Sequence, residues 1–283
     1  MISPVIICNG VIRSGSTWSF NVCRCLADLL ARRRSQQYGM ACLTDRSLDQ
    51  FLQVSVNSGA GPVVVKVHEI GPIALQWIRA RRAKAVCTFR DPRDCVASDI
   101  VFWGDGFDAS VQRVTISLKV LQASLYDDGS TLLVRYEEMM SDTRLQIRRI
   151  AEYLNVEINQ NDVERIDAQT NIHASRSISQ GLSERPESET DVGSTGHRRH
   201  RITLLHDNHI GNARAGRWKD ELTDEQGQQL TQLFQHDLQA MGYESPASAN
   251  TSHPNVTQWD DASAAPAGEV RHRRQDVRQT RQS

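Results

Sequence analysis

Four short apolar runs decide what this chain can become. Val5-Ile6-Ile7-Cys8, Val63-Val64-Val65, Ala85-Val86-Cys87-Thr88-Phe89 and Thr131-Leu132-Leu133-Val134 are strand-length, rich in β-branched residues and nearly unbroken by polar ones. A strand with one face in water alternates apolar and polar residues. An unbroken run suits a strand covered on both faces, as in a parallel sheet. The segments between them have helical spacing over 17–34, 73–82, 92–102, 111–125 and 142–154. Strands alternating with helices predict a three-layer α/β/α fold around a central, mainly parallel sheet.

A change of composition divides the chain. Residues 175–201 are rich in Ser, Glu, Arg and Gly, and a long, partly mobile loop is expected over 175–208. A helix is expected to open at Thr223, with Gln226 completing a capping box, Leu230, Leu233, Phe234, Leu238 and Met241 on one face, and Gly242 ending it. Residues 1–244 therefore read as one domain. Residues 245–283, dominated by Ser, Ala, Pro, Asn and Gln and ending in arginines, cannot bury enough apolar surface to offset ordering and are expected to be disordered.

Composition also excludes function classes. The 33 Lys and Arg residues balance 34 Asp and Glu, so the chain lacks the net basic surface of a general nucleic-acid binder. No apolar run reaches the ~20 residues of a membrane span. The N-terminus has no secretory pattern. The six cysteines form no CxxC pair, which suits free thiols in a reducing, cytoplasmic setting better than disulfides or zinc. No spacing suggests a metal site; His197, His200, His206 and His209 fall within or just after the expected loop without a ligand pattern.

The first strand leads into Gly10-Val11-Ile12-Arg13-Ser14-Gly15-Ser16-Thr17-Trp18 and then a helix. A small-residue loop at a helix N-terminus is an anion cradle, because backbone N–H groups and the helix dipole converge there. The spacing nearly matches the nucleotide-triphosphatase pattern GxxxxGK[ST], but Ser16 replaces the lysine that would reach the β- and γ-phosphates. Positive charge stands at Arg13 instead. Taken alone, the segment is equally an ordinary Ser/Gly turn.

Two further strand ends carry chemistry. The second run is expected to continue as a strand through Glu69, so Lys66 and His68 share a face and Glu69 turns away from it, which sets a cation and a titratable base at the carboxyl edge where open α/β sheets bind ligands. The third run ends in Arg90, followed by Asp91 as a helix cap and Pro92 in the first helical position. Ser98 lies eight positions beyond Arg90. The two suit a grip on one phosphate, although Arg90 pairing with Asp91 or Asp94 while Ser98 packs would fit as well.

Together the segments resemble the sulfotransferase family that uses 3′-phosphoadenosine 5′-phosphosulfate (PAPS), over residues 4–242. Arg13 to Trp18 is similar to the family's 5′-phosphosulfate loop, Lys66-Val67-His68 to its strand with the catalytic histidine, and Phe89-Arg90 through Ser98 to its 3′-phosphate motif. Val134-Arg135-Tyr136-Glu137-Glu138 resembles the strand whose tyrosine lies near adenine. His209 to Thr223 resembles the segment that closes over the 3′-phosphate.

The resemblance implies sulfuryl transfer from PAPS to a hydroxyl or amine, with His68 as general base and Lys66 and Arg13 stabilising charge. Arg13, Ser14, Gly15, Ser16, Thr17, Trp18, Arg90, Ser98 and Tyr136 would bind PAPS, and no metal is needed. Many members have Lys at the position of Arg13, so its role here is electrostatic. The family's Arg-Lys-Gly in the closing segment is replaced by Gly211, Asn212 and Ala213, so Arg214 or Arg217 would substitute. The implied acceptor is a small molecule or glycan, with walls from 103–110 and 175–208. Phe102, Trp103 and Phe107 suit an apolar lining or core packing. A small-molecule kinase with a degenerate phosphate loop and a non-catalytic nucleotide binder are the competing expectations. The residues do not specify the acceptor or the oligomeric state.

Overall fold

A computed structural model describes residues 5–54, 61–125, 129–192, 196–207 and 213–243. Among these, β1 (Val5–Gly10), β2 (Gly39–Cys42), β3 (Val63–Lys66), β4 (Ala83–Phe89) and β5 (Thr131–Arg135) form a parallel sheet in the order β2-β3-β1-β4-β5. Helices α1 (Ser16–Arg33), α2 (Asp45–Val54), α3 (Pro72–Arg79), α4 (Pro92–Trp103) and α5 (Phe107–Leu125) fall between the strands. They are followed by α6 (Tyr136–Ser141), α7 (Thr143–Leu154), α8 (Gln160–Thr170) and α9 (Ile172–Gln180).

The unbroken apolar runs are explained by burial on both sides. Ile6 and Cys8 of β1 pack with Leu26 of α1 and Ile147 and Ile150 of α7 on one face. Val5 and Ile7 point to the other, against Leu48 of α2 and Ile78 of α3. Beyond β4, Cys87 packs with Val96, Val114 and Leu118 from α4 and α5. The three-layer α/β/α architecture is therefore the observed one.

The chain leaves β1 toward β2 and leaves β4 toward β5, on opposite sides. A crevice opens between adjacent strands whose connections diverge in this way. The loop after β1 and Arg90 after β4 flank that crevice, while β3 delivers Lys66 from the far side of β1.

Three expectations are corrected. The 175–208 stretch is not one loop. Helix α9 runs to Gln180, a short 3-10 turn covers Leu182–Glu184, and β6 (Thr190–Val192) pairs antiparallel with β7 (Arg198–His200). Its polar residues are used locally: Arg185 pairs with Glu189 at 2.7 Å, and Arg201 reaches the Thr190 carbonyl. The Thr223-capped helix exists with its capping box, but it breaks at Phe234 into α11 (Asp224–Leu233) and α12 (Gln235–Ala240), after α10 (Trp218–Glu221). Leu233, beside the break, is 51% exposed, whereas Leu230, Phe234, Leu238 and Met241 are buried. Finally, β3 stops at Lys66 rather than Glu69. The tail expected to be disordered, 245–283, lies outside the described residues.

Candidate active site

The phosphate loop is fastened from beneath. Ser14 Oγ donates to the Val11 carbonyl at 2.6 Å and sits 2.8 Å from Thr88 Oγ1 of β4. Ser14 is fully buried, so its hydroxyl shapes the loop from the inside rather than facing a ligand. Gly15 ends the loop at φ 91°, where a Cβ would also stand 3.0 Å from Met139 Cε. A left-handed turn against a packed neighbour is a place for glycine. Arg13 also has positive φ (63°).

Two cavities meet at this loop. One, of ≈ 370 Å³, is lined by Arg13, Gly15, Thr17, Trp18, Arg90 and Ser98, with Tyr136 and Arg217 closing it. The other, of ≈ 700 Å³, is lined by Arg13, Lys66, His68, Glu69, Phe102 and Trp103 among others. Arg13, Gly15 and Thr17 belong to both, so the loop is the partition between them. Ser16 faces only the second.

In the first cavity Arg90 is 2% exposed. Its Nη2 donates to Asp94 at 3.1 Å and to the Arg214 carbonyl at 2.7 Å, and its guanidinium lies 4.1 Å over the Tyr136 ring. Arg90 Nε and Trp18 Nε1 are buried donors with no hydrogen-bond partner. Buried polar groups are rarely left so, and two beside one cavity suit an absent acceptor of hydrogen bonds. Tyr136 opens α6 rather than extending β5, and its hydroxyl donates to the Ala213 carbonyl at 3.1 Å. Arg217 is buried against Glu221 and lines the cavity. Arg214 does not line it: its side chain pairs with Asp220, and only its carbonyl reaches Arg90. Residues 208–212, part of the expected closing segment, lie outside the described residues.

In the second cavity Lys66 Nζ stands 3.4 Å from His68 Nε2. Lys66 is buried, and desolvation lowers its pKa. The charge of Lys66, then burial, then the nearby His206 push His68 down to about 3, so its imidazole is neutral at ordinary pH. Burial brings Arg13 down to about 10 against the pull of Asp99, so it stays charged. Because β3 ends at Lys66, strand alternation does not turn Glu69 away; it lines the same cavity as His68. Phe102 and Trp103 form a wall, while Phe107 packs into the core instead.

The sequence patterns did not point to Thr170, Asn171 and His173, which enter the first cavity from the α8–α9 junction, and Ser175, expected in an acceptor wall, lines that same cavity. Nor did they point to Arg199, Leu204 and His206 as individual residues of the second. The capping signals Asn159-x-x-Asp162 and Asn171 were available for the first group; the second depends on a hairpin with no strong local signal. Among the described residues no group of three or more His, Cys, Asp or Glu side chains is placed to hold a metal ion. None of the described helices is long and apolar enough to cross a membrane.

Comparison with known proteins bears on the fold and the family. No match is found among curated proteins. A retinol dehydratase solved with androsterone and the inactive cofactor PAP is similar in structure, at 15% identity and a TM-score of 0.58, covering 90% of this chain and 84% of that one. Mouse sulfotransferase SULT7A1, solved with PAP, is similar at 15% identity and TM-score 0.58, over 83% of this chain and 84% of that one. At such identities the likeness establishes a shared fold. The model of the sulfotransferase domain matches residues 4–242, nearly the whole of the described chain, and the chain belongs to the sulfotransferase family.

Proposed function

We propose that the chain moves a sulfuryl group from PAPS to a hydroxyl or amine of a small-molecule or glycan acceptor. One observation carries the reading: the phosphate loop is the shared wall of two cavities, with unpartnered donors on one side and the Lys66–His68 pair on the other. A bisphosphorylated nucleotide in the first cavity would place its reactive end at the partition. The structurally similar proteins solved with PAP support that choice of ligand.

The residues present fit such a ligand. Arg90 Nε, Ser98 and Arg217 would hold the 3′-phosphate through charge-assisted hydrogen bonds. Arg13 and the loop N–H groups would hold the 5′-phosphate, with Trp18 and Tyr136 beside the nucleoside. PAPS supplies a sulfuryl group on a phosphate leaving group. The acceptor oxygen or nitrogen forms the new bond to sulfur as the bond from sulfur to the 5′-phosphate oxygen breaks, and His68 takes the acceptor's proton. Lys66 and Arg13 face the charge that develops on the transferring group and the leaving phosphate.

A neutral His68 is in the correct form to accept a proton. Its depressed pKa makes it a weak base while Lys66 is unpaired by an anion. Binding an anion beside Lys66 offsets that cation and raises the basicity of His68, so the base strengthens when the donor is in place. Glu69, open to the same cavity, ranks second. The free thiols among the described cysteines suit a cytoplasmic site of action.

The test compares transfer from labelled PAPS to a panel of alcohols and amines, without added metal, with binding of ATP–Mg²⁺. A labelled sulfate ester or sulfamate, with ATP–Mg²⁺ bound more weakly than PAP, is the expected result. Tighter binding of ATP–Mg²⁺ than of PAP would replace this reading with a kinase-like one.

A further inference from the structure

Asp94 lies on the first turn of α4 and is completely buried. Its Oδ2 accepts from Arg90 Nη2 at 3.1 Å and from Gly216 N at 2.7 Å, and its Oδ1 accepts from Trp218 N at 3.0 Å. One carboxylate thus joins the floor of the nucleotide cavity to a segment more than 120 positions away in sequence. That segment is tied at two more points, the Arg214 carbonyl to Arg90 and the Ala213 carbonyl to Tyr136. Between the two amides held by Asp94 stands Arg217, buried and lining the cavity.

A buried carboxylate beside a phosphate site is unfavourable in itself, because it repels the ligand and must be desolvated. It is tolerated here because three donors converge on it: Arg90, which lines the cavity, and the amides of Gly216 and Trp218, which flank the cavity-lining Arg217. We propose that Asp94 is a positioning residue. It latches the 213–218 segment over the nucleotide cavity and orients Arg90 and Arg217 toward the 3′-phosphate. By occupying Arg90 Nη2 it leaves Nε, buried and without a hydrogen-bond partner, for the ligand.

The far side of the latch is fixed by packing. The Trp218 ring lies 4.3 Å from the Arg93 guanidinium, and Gly227 approaches it so closely that a Cβ there would stand 2.9 Å from Trp218 Cζ3. Arg217 is held from behind by Glu221 at 2.7 Å. Losing the Asp94 contacts would therefore free the segment at its inner edge, where Arg217 enters the cavity.

The inference rests on the reading of that cavity as the PAPS site. Affinities of PAP and adenosine 5′-phosphate, which differ in the 3′-phosphate, are measured on the full chain and on Asp94→Asn. The wild type should prefer PAP, and the variant should lose about 10-fold or more on PAP while its affinity for adenosine 5′-phosphate stays unchanged. A wild type without preference for PAP overturns the reading of the cavity. A preference kept in Asp94→Asn, or an equal loss on both nucleotides, overturns the latch. Amide exchange on the wild type gives a second readout if the variant fails to fold. The amides of Gly216 and Trp218 should be slowed more by PAP than by adenosine 5′-phosphate, and equal slowing overturns the latch.

Discussion

Arg13 Nε donates to Ser98 Oγ at 3.2 Å, joining the phosphate loop to α4 across 85 positions of sequence. The same guanidinium lies 4.1 Å from the centre of the Phe102 ring, in the wall of the second cavity. The two anion grips expected from separate motifs are therefore one connected surface, and Arg13 is the charged residue that lines both cavities.

That link gives Ser98 a contact beyond the phosphate bond proposed for it. Ser98→Ala removes a hydroxyl from the cavity and releases Arg13 Nε. Loss of hydrogen bonds to charged groups costs about 1.5–3 kcal/mol, so PAP affinity should fall on the order of 10- to 100-fold, read by calorimetry. Unchanged affinity would separate Ser98 from the nucleotide site.

Lys66 sets the protonation of His68. With the native pKa near 3 and an ordinary value of 6.5, the unfolded chain binds the proton more readily between those values. Any penalty on folding from His68 is absent above about pH 6.5 and grows as pH falls toward 3. Lys66→Met should move the His68 titration, followed by NMR, upward toward 6.5. A titration that does not move would show that another group controls the ring.

His68→Ala should lower kcat about 100-fold or more, as expected when a general base is lost, with PAP affinity largely retained. Single-turnover transfer from labelled PAPS checks the first part and calorimetry the second. Full turnover in the variant would shift the role of base to Glu69 or His206.

Arg90→Ala removes the guanidinium that faces the buried Asp94. Breaking a buried pair from one side costs about 3–5 kcal/mol of stability, so chemical denaturation should show a large loss alongside weakened PAP binding. A variant as stable as the wild type would mean that the two main-chain donors from Gly216 and Trp218 suffice to hold the carboxylate.

Gly15→Ala should strain the loop, because φ 91° disfavours a side chain and Met139 Cε blocks the added methyl. A left-handed non-glycine residue costs roughly 1–2 kcal/mol, so a lower melting temperature and weaker nucleotide binding are expected together. A variant with wild-type melting and binding would show that the loop relaxes without cost.

Much of this was legible from local patterns. The four apolar runs gave four of the five strands of the described sheet, because burial on both faces leaves its mark within each run. Asp91-Pro92 and the Thr223/Gln226 pair marked helix starts, because capping involves neighbours a few residues apart. The short edge strand β2 was missed, since Gly39-Met40-Ala41-Cys42 has a half-exposed pattern and little β-branched character. The hairpin of β6 and β7 was missed because its polar residues find partners only once the chain folds back.

The candidate site divides in the same way. Residue type and spacing pointed to Arg13, Lys66, His68, Arg90 and Ser98, the family resemblance added Tyr136 and Arg217, and each lines one or both cavities. The resemblance also named Arg214, whose side chain turns to Asp220, and Ser14, whose hydroxyl is spent under the loop. Strand runs, caps and the small-residue turn are properties of a few neighbouring residues, so the amino-acid order determined them alone. Which side chains share a cavity, and which carboxylate ties the closing segment to Arg90, was decided only by tertiary packing. Those contacts join residues as far as 124 positions apart, and no local preference specifies them.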